Sequence, residues 1–234
     1  HAVEIALTNS EGTHNALSYA HNHDATVILA STSEIYGDPQ EHPQHEGYNG
    51  NVNIRGPRAP YDESKRFSEA LGIAYQQQYE IDIRTVRIFN TYGPRMRPDD
   101  GRVIPNFLSQ ALRGDDLTVY GDGSQTRSFC YIDDLVRGIR AVADAPSATV
   151  SGEVINLGST DEIAIRELAD VIIDTIDPDC EVAYQDLPAD DPQVRRPDVS
   201  RAEERLDWTP TISLSDGIEE TIPYFENELG ITSI

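Results

Sequence analysis

Tyr61-Asp62-Glu63-Ser64-Lys65 sets a phenol and an ammonium four residues apart, one above the other on a single face if the segment is helical. An ammonium beside a phenol favours the phenolate, and a phenolate is a usable base near neutral pH. In most proteins this spacing would say little. Here Lys65 is the chain's one lysine against 11 tyrosines, and the chance that it falls four positions after a tyrosine is about 5 %. A second group lies upstream. Ser31-Thr32-Ser33-Glu34-Ile35-Tyr36-Gly37 follows the apolar run Thr26-Val27-Ile28-Leu29-Ala30, the pattern of a strand buried on both faces. Hydroxyls and a carboxylate at the end of such a strand can hold a sugar hydroxyl and act as acid or base. A Ser/Thr-rich turn with one exposed Glu is the plain alternative. His21-x-His23 and His42-Pro43-Gln44-His45 have spacings a metal could use, but no cysteine lies near them. They read as solvated loop residues, and no metal site is assigned.

The elements that must position these groups alternate. A helix opens near Asn9 to Thr13, with Ala16, Leu17 and Ala20 at helical spacing. The strand at 26–30 is followed by a long polar loop to Pro60, and loops of that length inside compact domains are often functional. Tyr61 to Glu80 reads as a helix, Ile81 to Phe89 as a strand, Asn90 to Arg102 as a loop, and Val103 to Leu112 as a helix stopped by Gly114. Leu117 to Tyr120 is predicted as a strand turned by Gly121-Asp122-Gly123, Asp133 to Ala145 as a helix, and Gly152 to Leu157 as a buried strand. A helix over 163–176 capped from Ser159-Thr160-Asp161, a strand over 181–186, a Pro-rich loop over 188–197 and a helix over 215–229 complete the reading. Such alternation predicts an α/β fold with a mainly parallel sheet, and ligands in these sheets sit at the carboxyl ends of strands. Chemistry is therefore expected after Ala30, Ile88 and Leu157.

Charge narrows the partners. The 234 residues carry 41 Asp plus Glu against 18 Lys plus Arg, a net charge of −23. Phosphate repulsion excludes a nucleic-acid binder, whose affinity rests on cations displacing counterions, and disfavours an anionic membrane surface. No apolar run approaches the ~18–20 residues of a span, no signal segment opens the chain, and two distant cysteines make no disulfide framework. The chain reads as soluble and cytoplasmic. Dispersed acids with a single lysine, where on the order of a dozen would be ordinary, read as a halophile's surface rather than as a clustered acidic tail.

The two groups, taken together, carry a resemblance. The sequence resembles the extended short-chain dehydrogenase/reductases, the NAD-dependent nucleotide-sugar epimerase/dehydratase superfamily, with its Ser/Thr–Tyr–Lys constellation. The likeness continues through Arg87-Ile88-Phe89-Asn90-Thr91-Tyr92-Gly93-Pro94-Arg95, Asp100 to Phe107, Val119 to Phe129, Tyr131 to Leu135 and Asn156-Leu157-Gly158, and ends near Asp191 to Asp198. It implies a Rossmann-like doubly wound parallel sheet with a smaller interleaved C-terminal α/β subdomain. Residues 1–95 and about 127–158 would belong to the NAD-binding part, and about 96–126 and 159–234 to the substrate part. It also implies a homodimer through a helix bundle that includes the 61–80 helix.

By the same resemblance Tyr61 is the base and Lys65 its partner, bound also to the nicotinamide ribose of NAD. Thr32 takes the usual hydroxyl position, and Ser33 and Glu34 face carbon 5 of the sugar. Thr8, Thr91 and Arg102 lie by the cofactor or the substrate's edge. Asn90, Tyr120 and Arg127 hold the nucleotide diphosphate, and Arg195 reaches over the sugar or its carboxylate, for which its planar fork suits it. Dehydratases of the group generally carry Asp-Glu where this chain has Ser33-Glu34, and epimerases usually lack the Glu. Ser-Glu resembles the branch that decarboxylates UDP-glucuronate to UDP-xylose, with a 4,6-dehydratase or 4-epimerase as the alternative. Leu7 stands where that branch usually has a lysine. The Gly-x-x-Gly-x-x-Gly fingerprint, which brings backbone to a pyrophosphate, is not in the sequence. The chain therefore reads as lacking the opening βαβ unit, and a catalytically silent nucleotide-sugar-binding fragment is the alternative from another class.

Overall fold

The computed structural model describes residues 1–176, 179–188 and 191–231. In chain order the elements are α1 (Ala2–His23), β1 (Val27–Thr32), a 3₁₀ turn (Ser33–Tyr36), α2 (Ala59–Tyr79), β2 (Ile83–Ile88), β3 (Thr91–Tyr92), α3 (Val103–Arg113), β4 (Leu117–Tyr120), β5 (Thr126–Ser128), β6 (Cys130–Tyr131), α4 (Ile132–Asp144), α5 (Ser147–Val150), β7 (Val154–Leu157), β8 (Glu162–Ala164), α6 (Ile165–Ile176), β9 (Val182–Gln185), β10 (Val194–Arg195), α7 (Ser200–Leu206) and α8 (Leu214–Leu229).

The strands β1, β2 and β7 form one parallel sheet in that order. Leu17, Ala20, Ile83, Leu29 and Leu71 pack one face under α1 and α2. Val86, Leu135, Val142, Ile155, Leu157 and Trp208 pack the other under α4 and α7. With both faces covered, the middle strand has no solvent side. The sequence shows alternation there because Arg84 and Arg87 interrupt the apolar residues, yet both are buried. Arg84 pairs with Asp82 at 2.7 Å and donates to the carbonyls of Val142, Ala143 and Ala145, near the end of α4. A cation is favoured at such a helix end. Arg87 forks onto Glu69 of α2 at 3.0 and 2.7 Å, and Ser31 Oγ donates to the same carboxylate.

A second apolar body joins α3, α6 and α8 through Phe107, Leu108, Leu168, Ile172, Ile218 and Phe225, beside the parallel pair β4–β9. Its mixed sheet, β10-β5-β8, puts β10 next to β5 across some 70 residues of chain.

Several boundaries depart from the sequence reading. The first helix begins at Ala2 rather than near Asn9. His21 and His23 consequently sit in its last turn, not in a loop. Glu162–Ala164 forms an edge strand against β5 where the opening of a helix was expected. The Pro-rich loop contains β10, and its residues 189–190 lie outside the described residues. Gly121 and Gly123 have φ of 70° and 72° and make the expected turn.

Candidate active site

The parallel strand β1 ends at Thr32, and the chain turns at once into the 3₁₀ segment. Thr32 Oγ1 accepts the Glu34 amide at 3.2 Å, satisfying one of the donors a helical start leaves open. Gly37 closes the turn at φ 63°, where an added Cβ would lie 2.1 Å from the Asn51 carbonyl oxygen. Only glycine fits there, and the turn keeps Ser33 and Glu34 at the sheet's carboxyl edge. Across from them α2 begins with Ala59-Pro60, a proline placement that costs no helix hydrogen bond. Its first two turns present Tyr61 and Lys65 on one face, with Lys65 Nζ 5.9 Å from the Tyr61 ring centre.

Lys65 Nζ donates to the Ala30 carbonyl at 3.0 Å, which fixes the ammonium beside the end of β1. Burial lowers the Lys65 ammonium below its ordinary value. Three donors belong to an ammonium, so this anchor leaves two for a ligand.

These residues border one cavity of about 620 Å³, the size of an ordinary small-molecule site. Thr32, Ser33, Glu34, Tyr61 and Lys65 line one side of it. Asn90, Thr91, Arg102, Tyr120, Arg127 and Arg195 line the rest. Thr8 does not; it is exposed on α1. Arg102 pairs with Asp100 at 3.1 Å at the cavity's open side, and Arg127 pairs with Asp191 at 2.9 Å.

The electrostatic centre is Glu34. Arg195, only 1 % exposed, donates to Glu34 Oε1 at 3.0 Å, to Ser33 Oγ at 3.2 Å and to the Gly37 carbonyl at 2.8 Å. Arg58 donates to the other Glu34 oxygen. Burial alone would raise the Glu34 carboxyl, but the Arg195 and Arg58 charges outweigh it and hold it below the usual carboxylate range. Burial pulls Arg195 below the ordinary arginine value. Arg58 and Asp62 were not singled out by sequence reasoning. Their one signal is position, on either side of Tyr61 at the helix start.

Elsewhere, His42 meets Glu162 at 3.0 Å and His45 meets Glu41 at 2.9 Å. Among the described residues no group of three or more His, Cys, Asp or Glu gathers as a metal would need, and no helix is long and apolar enough to cross a membrane.

Residues 1–158 match the family described as NAD dependent epimerase/dehydratase. The chain belongs to this family. Its relatives include "UDP-glucuronic acid decarboxylase 1" of Arabidopsis thaliana, 46 % identical over 97 % of this chain and 51 % of that protein. "UDP-glucuronic acid decarboxylase 6" of the same plant is 46 % identical over 98 % of this chain and 66 % of the relative. The chain thus spans about half to two thirds of their lengths. Among solved structures, the UDP-glucuronic acid 4-epimerase of Bacillus cereus, in complex with UDP-glucuronic acid and NAD, superposes with a TM-score of 0.86 at 30 % identity, over 94 % of this chain and 68 % of that one. The Rossmann-like α/β architecture of this family member accounts for the parallel β1-β2-β7 sheet and for the cavity at its carboxyl edge.

The family implies NAD, and the donor set permits a test. The end of β1, the Lys65 ammonium with two donors to spare, and the hydroxyls of Thr32 and Tyr61 fit a nicotinamide riboside. The residues expected to cradle a pyrophosphate, the spaced glycines, are not in this sequence.

Proposed function

We propose that this chain forms the catalytic face of an NAD-dependent nucleotide-sugar enzyme that decarboxylates UDP-glucuronate to UDP-xylose through a 4-keto sugar. The observation that carries the reading is the Glu34 carboxylate held between Arg58 and Arg195 in the cavity that Tyr61 and Lys65 also line. Ser33 rather than an acid beside Glu34 supports decarboxylation over dehydration, because expelling water needs a second proton donor. The 4-epimerase reading stands second, on the likeness to the UDP-glucuronic acid 4-epimerase.

In this reading Tyr61 takes the proton of the 4-hydroxyl, and Lys65 keeps the phenolate favourable while holding the cofactor's ribose. The nicotinamide, when bound, supplies a hydride acceptor and donor at carbon 4. Thr32 orients the 4-oxygen. With a carbonyl at carbon 4 the sugar is a β-keto acid, and the C5–C6 bonding pair can pass into a C4–C5 enolate as CO₂ leaves. Arg195 would meet the departing carboxylate, with Ser33 and Glu34 at carbon 5. Thr91 and Arg102 would border the cofactor or the substrate's edge, and Asn90, Tyr120 and Arg127 the diphosphate; Thr8, on α1, is assigned to the cofactor side on resemblance alone.

The apolar clusters support dividing the chain into residues 1–95 with about 127–158 as the cofactor part and about 96–126 with 159–234 as the substrate part. Val199, Ala202 and Trp208 pack with the first, and Tyr92, Phe129 and Tyr131 with the second. A homodimer is proposed on the outward Tyr19 of α1 and Phe67, Ile73 and Tyr79 of α2, all 41 % exposed or more, which a second copy would cover. Cytoplasmic placement and a high-salt setting are proposed from the sparse cysteines and the −23 charge. Incubating the protein, expressed from its complete reading frame, with NAD⁺ and a panel of UDP-, dTDP- and GDP-sugars, with products identified by mass, tests the substrate assignment. UDP-xylose from UDP-glucuronate is expected; turnover of a different sugar alone would overturn it.

A further inference from the structure

Behind the Glu34 carboxylate lies a second cavity of about 250 Å³, bordered by Asp62, Arg58, Arg195, Asp38 and Asp191 as well as Glu34 itself. Asp62 is 5 % exposed and Arg195 1 %. Each has a buried polar atom with no partner among the described residues, Asp62 Oδ1 and Arg195 Nε. Buried acceptors and donors of this kind are costly to leave unpaired. A polar cavity of this size, with donors and acceptors on several walls, suits bridging water.

The proposed reaction raises a question of proton supply, and the inference rests on that reading. Loss of CO₂ leaves the former C5–C6 bonding pair in a C4–C5 enolate. Forming the new C5–H bond takes one proton, so each turnover draws one proton from solvent. The proposed reading gives that delivery to Glu34, yet its two guanidinium partners favour its ionised form. It must receive the proton from a neighbour.

We propose that Asp62 is the proton-relay residue of this site, passing the proton of its carboxylic acid through water in the small cavity to Glu34, which gives it to carbon 5. The Asp62 O–H bond breaks, a Glu34 O–H bond forms and is spent in making C5–H, and solvent reprotonates Asp62. No oxidant, reductant or further reactant is required. The electrostatics agree. Burial pushes the Asp62 carboxyl up to about 6, with the Glu34 charge adding to the rise and Arg58 and Arg195 opposing it. Glu63, on the same helix, adds slightly, and Asp38 and Asp191 face it across the cavity. Two carboxylates whose surroundings push them in opposite directions hold one proton between them in mildly acidic solution, up to about pH 6, and here it resides on Asp62.

The test uses the enzyme from its complete reading frame, with NAD⁺ and UDP-glucuronate, and compares Asp62→Asn with Asp62→Glu. In Asp62→Asn, the NADH absorbance formed in a single turnover should survive, while pentose formation falls on the order of 10²-fold, the usual worth of a proton-transfer group. The alkaline decline of the wild-type kcat should vanish in Asp62→Asn and return, with the rate, in Asp62→Glu, which separates relay from mere packing. Infrared difference spectra between pH 5 and pH 8, taken without substrate, should contain a protonated-carboxyl band that Asp62→Asn removes. Wild-type turnover and pH profile in Asp62→Asn would overturn the proposal, and so would an Asp62 fully ionised at pH 5. A wild-type enzyme that releases no CO₂ would refute the decarboxylase reading, and the infrared titration then decides independently whether Asp62 carries a proton.

Discussion

Replacing Glu69 by Gln tests whether one buried ion pair fastens the catalytic helix to the sheet. Glu69 lies one helical turn beyond Lys65 and accepts Arg87 Nε at 3.0 Å and Nη2 at 2.7 Å, together with Ser31 Oγ. Both charged side chains are about 10 % exposed. The Gln keeps the shape and removes the charge, leaving a guanidinium in the interior. Removing one partner of a buried pair costs about 3–5 kcal/mol. Arg87 keeps neutral support from Tyr36 Oη at 2.9 Å, the Glu46 carbonyl at 3.0 Å and the Tyr36 ring at 5.0 Å, so the lower end, about 3 kcal/mol, is expected. With a urea slope of about 3 kcal/mol per molar, the unfolding midpoint should fall by about 1 M. Replacing both partners by apolar residues, Glu69→Leu with Arg87→Met, should cost less than Glu69→Gln alone, because no charge is then stranded. Urea denaturation followed by circular dichroism reads both variants. A midpoint within about 0.2 M of wild type for Glu69→Gln, or a double variant weaker than the single one, would refute the reasoning.

Tyr61→Phe should leave UDP-sugar binding intact and lower kcat about 10²–10⁴-fold, read by steady-state kinetics beside calorimetry. Glu34→Gln should slow the chemistry at carbon 5 more than the initial oxidation, so that NADH accumulates in stopped-flow absorbance. Asp82, held at about 2 first by its hydrogen bond from Arg84 and then by Ser147 and Ser151, has a depressed carboxyl; its stabilising effect is present above pH ~4 and lost as pH falls towards about 2. Asp82→Asn should therefore cost about 1–2 kcal/mol at pH 7, after allowance for solvent screening, and only a few tenths, about 0.4 kcal/mol at most, near pH 2, as urea melts at the two pH values will read. Molar salt should raise the thermal midpoint by screening the −23 charge, and an unchanged midpoint in scanning calorimetry would remove the high-salt reading.

Much of the site was legible because its residues are close in sequence or sit at strand ends. Tyr61 and Lys65 share a helix turn, and Ser31 to Gly37 follows an apolar strand. Eleven of the twelve residues assigned from the sequence, seven of the twelve through the family resemblance alone, border one cavity. What the sequence left hidden depends on contacts between distant segments. The strands at Glu162–Ala164 and Val194–Arg195 are two or three residues long, too short for periodicity, and exist because β5 lies between them. The seven-residue helix α7 is stabilised by Ala202 and the neighbouring Trp208 against the sheet, a tertiary effect that propensity does not register. Arg84 and Arg87 look like the solvent face of an alternating strand, and only the carbonyls of α4 and the Glu69 carboxylate explain their burial. The pairing of Arg58 with Glu34 and the seclusion of Asp62 likewise arise only when α2, the 3₁₀ turn and β10 meet.

The central claim is that the oxidation begun at Tyr61 ends in loss of carbon 6. The most direct measurement supplies UDP-glucuronate labelled with ¹³C at carbon 6 to the enzyme from its complete reading frame, with NAD⁺, and follows the label by mass spectrometry. Release of the label as CO₂ together with UDP-xylose, abolished in Tyr61→Phe, is the expected result. Recovery of the label in a 4-epimer of unchanged mass, or release that persists at the wild-type rate in Tyr61→Phe, would contradict it.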